Sequence, residues 1–91
     1  DGYIGEYESE ICFELFTNYP GFFYQHITHV SEKVRIGFVE SIIRSFYYNN
    51  INEDKEFLIF KEHGRMLPQY KSEISLITNM IKKYKDKLDL E

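Results

Sequence analysis

Residues Ser31–Tyr48 read SEKVRIGFVESIIRSFYY, and the fold follows from how this stretch is read. With Val34 at zero and 100° per residue, Val34, Phe38, Ile42, Phe46, Val39 and Ile43 fall within half a turn. Ile36 and Tyr47 widen that face, leaving Lys33, Gly37, Glu40, Ser41 and Arg44 as a narrow polar remainder. A surface helix carries a narrower apolar stripe, so the pattern predicts a central helix covered on more than one side. The Ser31 hydroxyl suits an N-cap, and Asn49 and Asn50 suit the stop. Arg35 stands among the apolar residues. Either its stem snorkels outward from the first turn, or its guanidinium meets a carboxylate on a partner.

Working outward, residues 69–90 hold the cleanest periodicity. Tyr70, Ile74, Ile77, Ile81, Tyr84 and Leu88 step by four and three, a seam of coiled-coil type that Leu76 and Met80 broaden. Pro68 and Glu73 suit its start, and Lys82, Lys83, Lys85 and Lys87 suit its end, where cations complement the helix dipole. Residues 53–63 form a third helix, with Asn52 as cap and Gly64 as stop. Its four apolar residues, Phe57–Phe60, also fit a buried strand.

Two segments are ambiguous. In residues 6–17, Tyr7, Ile11, Cys12, Leu15 and Phe16 make a helical stripe, while Ile11, Phe13 and Leu15 alternate as in a strand. The run Asn18–Gly21 breaks the chain, and the two glycines before Glu6 read as a flexible lead-in. In Phe22–Val30, Phe23, Ile27 and Val30 continue helical spacing towards Val34, so that a helix starting near Pro20 competes with a strand pairing back on Ile11–Phe16.

The expected architecture is all-α, a bundle of about four helices in one domain spanning residues 1–91. Its core is Ile11, Leu15, Phe23, Ile27, Val34, Phe38, Ile42, Phe46, Phe57, Phe60, Ile74, Ile77, Ile81 and Tyr84. The alternative is α+β, a short antiparallel sheet of Ile11–Phe16, Phe22–Val30 and Phe57–Phe60 against two helices.

Eight Phe and eight Tyr in 91 residues, with no Ala, mean that rings must fill this core. The first residue is Asp and not Met, which reads as a domain excised from a larger chain or as a processed product. A net charge of −4 argues against a nucleic-acid backbone as main partner. The single cysteine, Cys12, permits no internal disulfide and favours a reducing, intracellular compartment, cytoplasm or nucleus. No apolar run reaches membrane-spanning length.

No motif carries a cofactor or a catalytic constellation. His26 and His29 share a helix face, and Cys12 and His63 would complete a four-ligand site, but the spacing matches no zinc pattern. Cys12 between Ile11 and Phe13 reads as a buried thiol, not a nucleophile. The run Glu6, Glu8, Glu10 and Glu14 reads as a solvated face. Arg65, Lys71, Lys82, Lys83 and Lys85, with Tyr84, suit a nucleic-acid strand, although Asp86, Asp89 and Glu91 interrupt them. The remaining signal is surplus apolar surface, since Phe13, Tyr19, Ile36, Tyr48 and Leu90 exceed what one small core holds. The leading reading is a non-catalytic module that binds a partner helix or peptide, or a second copy of itself, with Arg35, Ile36, Tyr47 and Tyr48 as contacts.

Overall fold

A computed structural model describes residues 2–88, with side chains from 10 to 88. Five helices follow one another: α1 (Gly2–Asn18), α2 (Pro20–Ile27), α3 (Glu32–Tyr48), α4 (Glu53–Met66) and α5 (Lys71–Lys85), with a 3-10 turn at Pro68–Tyr70 before α5. No strand occurs among the described residues, so both ambiguous segments are helical and the fold is all-α. The bundle measures 36 × 29 × 23 Å. Helix α3 lies between α1 and α5, against which it packs most extensively, while α4 packs on α5.

The breaks between helices have local causes. Tyr19 (φ −131°, ψ 55°) and Leu67 (φ −130°, ψ 59°) adopt nearly the same non-helical conformation. Each precedes a proline, whose Cδ clashes with a helical predecessor. The two corners lie together, since a Cβ built on Gly21 would meet Leu67 Cδ2 at 3.7 Å. Ser31 Oγ accepts a hydrogen bond from Val34 N at 3.2 Å, and Asn52 Oδ1 accepts one from Lys55 N at 3.0 Å, so both expected caps form. Asn49 caps the end of α3, and Asn50 turns the chain with φ 57°, a left-handed conformation that asparagine tolerates.

Arg35 resolves the relation between α2 and α3. Its Nε donates to Ile27 O at 3.0 Å and its Nη2 to Val30 O at 3.1 Å. These carbonyls lie at and just beyond the end of α2, where helical partners run out. The arginine therefore closes α2 from the first turn of α3, and the segment from Pro20 onward does not merge with the central helix.

Phe16 is the hub of the core. It is 0% exposed, and its ring lies 5.4 Å from Phe23, 6.4 Å from Tyr24, 6.0 Å from Phe46, 5.5 Å from Phe60 and 4.9 Å from His63. Rings from α2, α3 and α4 thus meet one ring from α1, mostly edge to face, as the aromatic quadrupole prefers. Ile42, Phe46, Val39 and Ile43 of α3, Phe23, Tyr24 and Ile27 of α2, and Ile74, Ile77 and Ile81 of α5 complete the buried set, with Tyr70, Tyr84 and Leu88 packed at its edge.

Several expectations need correction. Ile11, Val34 and Phe38 are 46%, 44% and 36% exposed, and Phe57 is exposed as well. On α1 the buried row is Cys12 and Phe16, one step around from Ile11. On α3 the buried arc is centred on Val39, Ile42, Ile43 and Phe46, which leaves its Val34–Phe38 edge outside. On α4 the inward position belongs to His63, not to Phe57. Gly64 does not end α4, because it accommodates helical φ and the stop comes from the proline corner two residues after Met66. The first glycines lie inside α1, and α5 is shorter than residues 69–90, its α-helix ending at Lys85. Leu90 and the side chains of Glu6, Tyr7 and Glu8 lie outside the described residues.

Removing the hub ring opens a cavity that four helices border. Phe16→Ala should lower unfolding free energy by about 3–5 kcal/mol, whereas Ile11→Ala, half in solvent already, should cost under about 1.5 kcal/mol. Urea denaturation of the two variants checks this, and comparable losses would show that Phe16 is not the hub.

Candidate functional site

The four residues expected to touch a partner fall at opposite ends of α3. Arg35 is committed to the α2 carbonyls, and Ile36 is half-buried. Tyr47 and Tyr48 are exposed, with rings 5.4 Å apart edge to face, at the far end of α3. Twelve residues separate Arg35 from Tyr47, roughly 18 Å along a helix. With Asn50, Ile51 and Asn52, the two tyrosines border an open depression of about 570 Å³.

The basic residues are divided in the same way. Arg65 spends its guanidinium on Glu62, with Nε to Oε1 at 2.8 Å and Nη2 to Oε2 at 2.6 Å. Lys85 reaches Glu56 on α4 at 2.8 Å. Lys71 begins α5 while Lys82 and Lys83 stand near its end, where Lys83 Nζ lies 5.4 Å from the Tyr84 ring centroid. Glu53, Glu56, Lys61, Lys82 and Lys85 rim a cleft of about 520 Å³ over Phe57, Phe60 and Ile81, with both signs of charge represented.

The cysteine and histidines are also dispersed. Cys12 is buried, its Sγ donating to Phe38 O at 3.6 Å, and burial pushes its thiol up to about 12, where the nucleophilic thiolate is scarcely populated at neutral pH. His26 and His29 are exposed on the end of α2 and the turn after it. His63 lies inside, with Nδ1 2.7 Å from Tyr24 Oη, the imidazole tautomer deciding which atom donates. Among the described residues, no three His, Cys, Asp or Glu side chains stand close enough to share a metal ion.

What the structure does bring together is a set of residues expected in the core. Ile11 and Leu15 of α1, Phe23 of α2, and Val34 and Phe38 of α3 line an apolar groove of about 470 Å³, with Cys12, Gly37 and Ser41 also on its walls. Gly37 leaves room, since nothing lies within 4 Å of where its Cβ would stand. Its flanks differ in charge. On the α1 side Glu10 and Glu14 are exposed, and α1 contains no Lys or Arg. On the α3 side Lys33 and Arg44 accompany Glu40. Sequence reasoning missed the groove because its residues are as apolar as a core. The available signal was the width of the α3 apolar arc, together with the small residues Gly37 and Ser41 beside Val34 and Phe38.

No protein-family model matches the chain, and neither does any curated protein or solved structure. Among the described residues no helix is long and apolar enough to cross a membrane.

The buried Tyr24–His63 pair predicts a pH dependence. Desolvation lowers His63 from its ordinary 6.5, against a smaller opposing pull from Glu62. The unfolded chain therefore takes up this proton more readily than the folded one. The stability attached to neutral His63 is complete above its ordinary value, falls as pH drops through it, and levels once the folded imidazole protonates. The urea midpoint should decline between about pH 7 and about pH 5. The double variant Tyr24→Phe/His63→Phe should flatten that decline, and an unchanged slope would remove His63 as its source.

Proposed function

We propose that this chain is a non-catalytic protein–protein interaction module that receives a helical segment of a partner in the α1–α3 groove. The observation that supports it is the position of Ile11, Val34 and Phe38. They leave substantial apolar area in water on both sides of one concave floor. Water contact of that kind costs roughly 25 cal/mol per Å², which a covering partner recovers. A groove between two helices is filled by a third helix whose anchors recur at i, i+3 or i+4, and i+7. The open space at Gly37 lets such a helix approach α3 closely.

Selection of helical peptides from a displayed library against the purified domain should return sequences with that apolar spacing. Phe38→Asp should weaken the selected peptides by at least about tenfold, equivalent to roughly 1.4 kcal/mol. Because Phe38 is 36% exposed, the variant should still fold, with a melting point lower by several degrees. Tyr48→Ala, at the far end of α3, should bind normally. If Phe38→Asp binds as wild type while Tyr48→Ala does not, the docking surface lies with the tyrosines instead.

A further inference from the structure

Resting on the groove reading above, we infer that the partner is an amphipathic helix with a basic flank, seated with its Lys or Arg residues against α1. The groove floor is apolar and uncharged, so it selects for an apolar face and nothing more. The shoulders add the discrimination. Glu14 is three residues on from Ile11 and hence on the adjoining helix surface, and Glu10 precedes Ile11; both are exposed. No Lys or Arg in the α1 sequence offsets the negative field of these two carboxylates. The opposite shoulder, α3, carries Lys33 and Arg44 around Glu40, so it does not repeat that field. A helix lying between the two meets a negative wall on one side only. Charge across an interface mainly sets partner choice and register, which is the role expected of this asymmetry. A second copy of the chain is a poorer occupant. Its α1 would bring the same acidic face to this shoulder.

The test uses two synthetic peptides of eighteen residues, each with a leucine face and glutamine along one flank. One carries lysine along the other flank, and its twin carries glutamate there. Both are titrated by fluorescence anisotropy against the intact 91-residue chain. The lysine peptide should bind about five- to tenfold more tightly at low salt, with the gap narrowing as salt rises. Glu10→Gln/Glu14→Gln should close most of the gap without changing the melting curve. Gly37→Leu projects a side chain into open space and suits a helix better than glycine, so it should fold at least as well while weakening both peptides. If the twins bind equally and Gly37→Leu weakens both, the basic-flank inference is overturned and the groove reading stands. If neither peptide binds, or Gly37→Leu binds both as wild type, the groove reading itself is overturned.

Discussion

The structure depends on one ring. Among the described residues, Phe16 supplies the only surface that α2, α3 and α4 all meet through aromatic side chains, and it does so fully out of water. A chain with no alanine and sixteen rings cannot close-pack helices at short distance. It fills the interior by interlocking large planar groups, each constrained by the tilt of the next. Around Phe16 the edge-to-face pairs set which side of each helix turns inward. The same ring lies against His63, and the Tyr24–His63 hydrogen bond gives these two buried polar tips a partner, so neither is orphaned.

That choice has a cost elsewhere. Turning α3 so that Val39, Ile42, Ile43 and Phe46 face Phe16 and α5 rotates Val34 and Phe38 towards the outside. Turning α1 so that Cys12 and Phe16 face inward does the same to Ile11. The two displaced edges lie side by side because α1 and α3 pack along each other. The groove is thus a consequence of satisfying the aromatic core, and it coincides with the acidic helix. The two proline corners lie together where Gly21 and Leu67 approach, and Arg35 fastens α2 to α3.

Much of the fold was legible in sequence. The four-and-three rhythm from Tyr70 to Leu88 identifies α5, and its isoleucines are buried as the seam predicts. Ser31 and Asn52 mark helix starts because their side chains replace a missing acceptor, which is a local matter. The candidate groove was not legible. Ile11, Val34 and Phe38 have the hydropathy of core residues, and helical spacing places them beside the true core. Which edge of a wide apolar arc is covered depends on helices remote in sequence.

Local chemistry, then, is what the sequence by itself determined: α3 and α5, the caps at Ser31 and Asn52, the break at Asn18–Gly21 and a ring-filled interior, while residues 6–30 stayed open between helix and strand. Such features arise from neighbours within a turn or two along the backbone. Tertiary structure alone decided that Arg35 closes α2, that His63 is buried against Tyr24, and that an apolar edge of α3 remains in water beside an acidic α1. Each of those outcomes turns on how one helix is rotated against another, and that rotation is set by the shapes of rings meeting from distant parts of the chain.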